Sequence, residues 1–358
     1  MIEVLQKDIC EKSLQCLYPN LSQVSARFIL KTVELAKVAR RVLEQCFALK
    51  EGETFLVVTD TSQSPRIAEA LMSEANAMGA DPSVITYPVR KYDREEPPQN
   101  VAASMKECDA FVAITVKSLS HTDARVQANA AGARGHTWPG VTEQMMLRTF
   151  LADYPSLSKY TRRVADAMSR AKRVRLTSPS GTDITVSFEG READTIDGIC
   201  TERGSFNQLP AGLISIAPLE GTANGQFVFD GSMYPEELTP RNDGLLLTPI
   251  KWTVNDGMIT DISGGMEGRG LRDYLQDVGD PNVYNVAEVG LGTNKSCRLT
   301  GNLLEDERAY GLVHVACGDN HAFGGRVIAK IHLDFSVQNA TLEADGKRIL
   351  DNGEILIE

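Results

Sequence analysis

Between residues 54 and 115 the chain alternates short apolar runs with amphipathic segments. TFLVVTD (54–60), PSVITYP (82–88) and DAFVAIT (109–115) are the runs, and SPRIAEALMSEANAMGA, closed by Gly79, lies between the first two. Apolar runs of this length, bounded by turn residues, read as strands buried on both faces, and the segments between them read as helices. Strand, helix and strand in repetition build a parallel sheet with helical crossovers. Upstream, residues 22–47 carry apolar positions at helical spacing, including Ile29, Leu30, Val33, Leu35, Val38 and Leu43, with Ser22 as N-cap.

The pattern changes near residue 170. RVRLTSPSGTDITVSFEGR (173–191) reads as two strands around a Ser-Pro-Ser-Gly turn, and KWTVNDGMITDIS (251–263) as a hairpin around Asn255-Asp256-Gly257. Helical pattern shrinks to a segment near 266–278. A chain of 358 residues exceeds the usual single domain. The expected architecture is α/β plus β-rich: residues 1–170 form an N-terminal helical segment and an α/β domain with a mostly parallel sheet, and residues 171–358 form a β-rich domain, with the boundary near 165–175.

Composition narrows the function classes. Hydrophobic residues at 42% and charged residues at 24% are globular values. A net charge of -11 disfavours phosphate or anionic-lipid partners, so neither a nucleic acid nor a membrane is expected. Residues 1–20 intersperse Glu3, Lys7, Asp8, Glu11 and Lys12 among apolar positions and leave no secretory core. The seven cysteines (10, 16, 46, 108, 200, 297, 317) are scattered and contain no Cys-x-x-Cys pair, which reads as reduced thiols in a cytoplasmic protein. Neither a Gly-x-Gly-x-x-Gly turn nor a His-Glu-x-x-His helix is present.

Chemistry concentrates near the C-terminus. Of five histidines, His314, His321 and His332 fall within nineteen residues. In AKIHLDFSV, Ile331, Leu333, Phe335 and Val337 alternate with His332, Asp334 and Ser336, so a strand turns its apolar set one way and presents His332 and Asp334 together on the other. An imidazole nitrogen and a carboxylate oxygen at i and i+2 can reach one ion from rigid backbone. GLVHVAC repeats the arrangement around His314, and the Gly-Asp-Asn and Gly-Gly groups that follow permit a turn in which His321 sits. Glu288, inside the apolar run NVAEVGLGTN, needs a partner for its charge, and an ion is one. The acidic run Glu305-Asp306-Glu307 reads as a solvated turn close to His314.

From about residue 50 onward, AEVGLGTN, GLVHVACGDNHAFGG, IHLDF, APLEGTANG and GHTWPGVTEQM together resemble the thermophilic metallo-aminopeptidases, the M29 peptidases, especially their shorter leucyl-aminopeptidase-like members. That resemblance implies a homodimer whose C-terminal domain holds two metals, with Glu288 as the shared carboxylate and His314, His332 and Asp334 as further ligands. His321 falls where those peptidases usually carry a tyrosine. In LPAGLISIAP, however, Gly212 and Leu213 stand where they carry a metal-binding glutamate. The related 2,5-dihydroxypyridine dioxygenases share this loss and bind one iron(II) through two histidines and an aspartate. His332 and Asp334 match two of those ligands, while Glu288 stands in place of the remaining histidine. His121 in SLSHTDAR resembles a histidine that assists ring cleavage there, and Gln208 matches another active-site histidine in position only.

Two activities are expected from this set, both on a small-molecule substrate. The first is metal-dependent hydrolysis of an amide-type C–N bond, with one or two ions of zinc, manganese, cobalt or iron(II) acidifying a water and His121 or His321 moving the proton. The alternative is a mononuclear iron(II) dioxygenase opening a hydroxylated pyridine or similar N-heterocycle, with His314, His332 and Asp334 as ligands.

Overall fold

The computed structural model describes residues 21–321 and 324–357. The readings made for residues 1–20, Cys10 and Cys16 included, lie outside the described residues. Helix α1 (Leu21–Gln45) takes in Ser22, the expected cap, as part of the helix. Along it Leu35, Val38, Ala39, Val42 and Leu43 recur at helical spacing and are buried.

The alternating region forms β1 (Thr54–Asp60), α2 (Pro65–Ala77), β2 (Asp81–Tyr87), α3 (Gln99–Glu107), β3 (Ala110–Ile114), α4 (Asp123–Ala131) and β4 (Arg134–Thr137). β1 pairs in parallel with β2 and with β3, and β3 with β4. Each parallel connection must carry the chain back to the starting end, and a helix does so. All five residues of β3 are buried, as a central strand covered on both faces requires. Helices α5 (Glu143–Thr149) and α6 (Tyr154–Ser169) then lead into the second half.

There the strands are β5 (Arg173–Thr177), β6 (Asp183–Ser187), β7 (Asp194–Ile196), β8 (Phe206–Gln208), β9 (Leu213–Ile216), β10 (Asn224–Phe229), β11 (Ile250–Asn255) and β12 (Met258–Ser263). After α7 (Gly265–Val278) come β13 (Val286–Gly292), the short α8 (Leu303–Asp306), β14 (Val313–Gly318), β15 (His332–Val337), β16 (Thr341–Ala344), β17 (Lys347–Asp351) and β18 (Glu354–Ile355). Both expected hairpins form, β5 with β6 and β11 with β12. In the latter Asn255 pairs with Met258, leaving Asp256 and Gly257 at the tip with φ of 46° and 78°. Two left-handed residues give the turn the twist that flanking strands need.

Among the described residues the strands make three sheets. A parallel sheet runs β2-β1-β3-β4-β8, an antiparallel sheet runs β12-β11-β10-β6-β5-β16-β17-β18, and a second antiparallel sheet runs β15-β14-β13-β9-β7. The two antiparallel sheets face each other across one core, centred on Phe229, Trp252 and Phe335, whose rings pack edge to face or tilted at centroid distances of 4.5–5.0 Å. The parallel sheet has cores on its two faces, built chiefly from residues 35–154. No helix among the described residues is long and apolar enough to cross a membrane, and Cys46, Cys108, Cys200, Cys297 and Cys317 carry free thiols.

The halves interlock at two places. β8 lies beyond three strands of the second half, yet it pairs in parallel with β4. In return, the segment around α8 docks onto the first half: Leu304 joins the first-half core, Asn302 Nδ2 donates to Gly140 O at 3.2 Å, and Glu305 accepts an ion pair from Arg148 on α5. The acidic run is therefore not a solvated turn. Glu305 and Asp306 are each 1% exposed, and Asp306 accepts from the Thr300 and Gly301 amides. The run is buried because it joins two layers, a role that composition does not reveal. Replacing Glu305 by Ala strips Arg148 and the Arg298 amide of their acceptor. It is expected to cost about 3 kcal/mol of stability in denaturant unfolding, with metal binding retained.

Candidate metal centre

The antiparallel sheet β15-β14-β13-β9-β7 has one greasy and one chemical face. Val289, Leu291, Val313, Val315, Cys317, Leu333, Phe335 and Val337 enter the core between the sheets. The alternate residues line up on the other side: Glu288 pairs across to Ala316 and Ala316 to Asp334, while Gly290 pairs to His314 and His314 to Ser336. His332 begins β15, opposite Gly318. Period-two alternation thus delivers the residues expected from the sequence to one face. A β-bulge between Val286 and Glu288 adds a correction. It lets Val286 turn into the core although it stands two residues before Glu288, which instead faces the cluster.

Glu288, His332 and Asp334 offer donor atoms that all lie within 4.8 Å of one another. His332 Nε2 stands 3.3 Å from Glu288 Oε2 and 3.5 Å from Asp334 Oδ1. His314 Nε2 is 2.8 Å from Glu288 Oε1, so the carboxylate bridges two imidazoles. His314 is 1% exposed, and its Nδ1 has no hydrogen-bond partner among the described residues. Gly290 is required beside it: a Cβ there would overlap the His314 ring and crowd the Ile214 carbonyl. His332 Nδ1 lies 2.7 Å from the Asp319 carbonyl, which can only accept, so Nδ1 carries a hydrogen and Nε2 is the nitrogen that faces Glu288 and Asp334.

Charge follows from this packing. Burial opposes ionisation of Glu288, but hydrogen bonds from His314 and His332 overcome it and hold the carboxyl well below the usual range. Burial likewise opposes charging of His332, and Asp334 and Glu288 reverse the balance, raising its pKa. Imidazole and carboxylate donors with a fixed tautomer on a rigid sheet suit a divalent cation, and the residues present fit one.

The other expected residues surround this cluster unevenly. His121 sits between β3 and α4, near enough to His332 and Asp319 to feel their charge. One side of it stays open to solvent. Packing around the rest, with the Arg94 and Arg125 guanidiniums, brings its pKa down to about 4, so it is neutral at physiological pH. Gln208 ends β8: its Nε2 donates to Ser120 Oγ at 2.8 Å, and its Oε1 accepts from Arg308 Nη2 at 2.7 Å. His321 is exposed in the loop between β14 and β15.

Glu307 and Arg308 were not singled out from the sequence, beyond the nearness of the acidic run to His314. They form an ion pair on a segment that lies directly on the chemical face, because Gly292 leaves no side chain beneath Arg308 and Ala309. Burial raises the Glu307 pKa to about 7; Arg308 lowers it, and Asp334 and Glu288 add to the rise.

What fold and cluster define is a class: proteins that carry a candidate metal centre on an antiparallel sheet, facing groups from the C-terminal ends of a parallel one. Within that class, residues 34–357 match the family model NicX: 2,5-dihydroxypyridine 5,6-dioxygenase, and the chain belongs to that family. A 2,5-dihydroxypyridine 5,6-dioxygenase of Pseudomonas putida is 27% identical over 206 residues, 53% of this chain and 55% of that protein, so the chain spans about half the length of this curated relative. The solved structure of 2,5-dihydroxypyridine dioxygenase from Pseudomonas putida aligns with a TM-score of 0.78 at 21% identity, covering 91% of this chain and 98% of the other. Wild-type AmpT from Thermus thermophilus aligns with a TM-score of 0.62 at 16% identity, covering 90% and 99%.

Family membership overturns the first functional expectation. The chain is not assigned to the amide hydrolases, and its likeness to an M29 aminopeptidase is one of fold alone. Both groups share the fold, and a fold does not separate hydrolytic from oxidative chemistry.

Two outcomes are expected here. Gly290→Ala should displace His314 and weaken cation binding by about tenfold or more in chelator competition, since rings that position a ligand carry effects of that size. In metal-free protein carrying 13C-labelled glutamate, one side chain, Glu307, should titrate near pH 7. Its folded pKa exceeds the unfolded one, so its contribution to stability is complete below about pH 4.5 and is lost as pH rises through about 7.

Proposed function

We propose that this protein is an iron(II) dioxygenase that opens the ring of a hydroxylated pyridine or a similar N-heterocycle with O2. The observation that carries this reading is the family match over residues 34–357, with imidazole and carboxylate donors gathered on one sheet face within it. Glu288, His332 and Asp334 would hold the ion, with His314 bound to the far oxygen of Glu288. Iron(II) bound there would supply the one-electron chemistry that lets a closed-shell ring react with dioxygen.

The chain's own residues then have separable tasks. Asp319 fixes the tautomer of His332 through its carbonyl. His121, neutral at physiological pH, is the base available to take a proton from a ring hydroxyl. Gln208, with its amide committed to Ser120 and Arg308, holds the Arg308–Glu307 pair as a wall of the site in place of a histidine. His321 serves at the loop rim. The presence of Glu288 where relatives of this kind carry a histidine adds a negative charge, which favours a doubly charged cation and disfavours a dianionic substrate.

The reading extends to assembly and layout. We take the chain to act as a homodimer, read by light scattering on a sizing column, and to divide near residues 165–175 apart from the exchanged segments described above.

Oxygen consumption against a panel of hydroxypyridines tests the activity. Turnover is expected with iron(II) in air and is expected to cease under nitrogen. His332→Ala and Asp334→Ala should each lose bound metal and turnover while remaining folded. Turnover that continues without oxygen, or metal retained in both variants, would contradict the assignment.

A further inference from the structure

Glu220 follows β9, on a turn completed by Gly221, away from the cluster itself. Its carboxylate gathers groups from two segments, the loop after β6 and the loop between β14 and β15. Oε1 accepts from Asn320 Nδ2 at 3.1 Å and from the Arg326 amide at 2.7 Å, and Oε2 pairs with Arg191, whose other nitrogen donates to the Gly324 carbonyl. Asn320 is 0% exposed and organises the loop between β14 and β15 from inside. Its Oδ1 accepts from the Val327 amide at 2.8 Å, its own amide donates to Val327 O at 3.1 Å, and its carbonyl accepts from Gly325 N at 3.0 Å. Gly325 is needed there, since a Cβ would overlap the Asn320 amide.

The next residue toward the site is Asp319. Its amide donates to Ile331 O at 2.9 Å and its Oδ2 accepts from the Ala329 amide at 3.1 Å, so its peptide carbonyl has one direction. That direction is toward His332 Nδ1.

We infer that Glu220 is a positioning residue for the candidate metal centre: by clamping the Asn320 loop it fixes the Asp319 carbonyl and, through it, the tautomer and ring orientation of His332. The inference rests on the reading of His332 as a metal ligand. Hydrogen-bond partners behind a ligating imidazole change cation affinity on the order of tenfold to a hundredfold. A residue one step further back acts only if the residues between are held in place, and the bonds of Asn320 and Asp319 hold those two. Glu220 touches none of the donor atoms, which is why nothing in the His-x-Asp pattern points to it.

The test measures cobalt(II) affinity of the full chain by competition with a fluorescent chelator, alongside 15N spectra of labelled histidine in the metal-free protein. Glu220→Ala is expected to weaken cobalt binding by about tenfold to a hundredfold and to speed solvent exchange of the Nδ1 hydrogen that one histidine gives to the Asp319 carbonyl. Glu220→Gln, whose amide oxygen can still accept from Asn320 and Arg326, should recover most of the affinity and the slow exchange of that hydrogen. Asp183→Ala, which breaks an exposed pair with Arg175 on the other antiparallel sheet, should match the unaltered protein. Unchanged affinity and an unchanged His332 signal in Glu220→Ala would overturn the inference. Should that variant fail to fold, Asn320→Ala decides by the same readouts. Cobalt retained by His332→Ala would instead overturn the metal-ligand reading, which separates the two failures.

Discussion

A carboxylate buried in the middle of a sheet is the constraint around which the second half is arranged. Glu288 is 3% exposed, and a charge so placed is tolerated only if other groups neutralise it. Two imidazoles, from β14 and β15, do so, one on each oxygen. Because the strands are paired in fixed register, the backbone holds both imidazoles beside the carboxylate. The requirement then spreads outward: Gly290 must be small, the bulge at Val286 must turn that residue into the core, and His332 must present Nε2. A divalent ion would take over the neutralising task from protons, so the same geometry that tolerates the charge prepares a cation site.

Much of this was legible in the chain. Uninterrupted apolar runs gave β1 and β3, and the Asn-Asp-Gly turn gave the β11–β12 hairpin. Alternation through AKIHLDFSV placed His332 and Asp334 on one face, because period two is enforced by the pleat. What escaped were effects of tertiary contact. The bulge beside Glu288 breaks the period locally and leaves no mark in residue type. The acidic run was read as solvated because charge usually means surface, whereas Arg148 and several backbone amides hold it inside. Arg308 and Gln208 are a hundred residues apart and meet only because β8 returns to the parallel sheet. The expectation of amide hydrolysis failed for another reason: ligand residues state which ion fits, not which reaction follows.

The distant likeness to an aminopeptidase has a physical meaning of its own. A sheet that offers donors from three adjacent strands is a durable platform, and the surrounding loops decide what approaches it. In this chain the loops bring His121, Glu307 and Arg308, and the end of β8 brings Gln208.

The return of β8 to the first sheet also bears on how the chain comes to be built. The parallel sheet stays one strand short until residues 206–208 have been synthesised, although its other members are complete by Thr137. Through that interval the outer edge of β4 has backbone groups with no strand to meet them. The nascent polypeptide leaving the ribosome must keep this edge from foreign strands while β5, β6 and β7 emerge, so one interval of open sheet edge falls midway through translation.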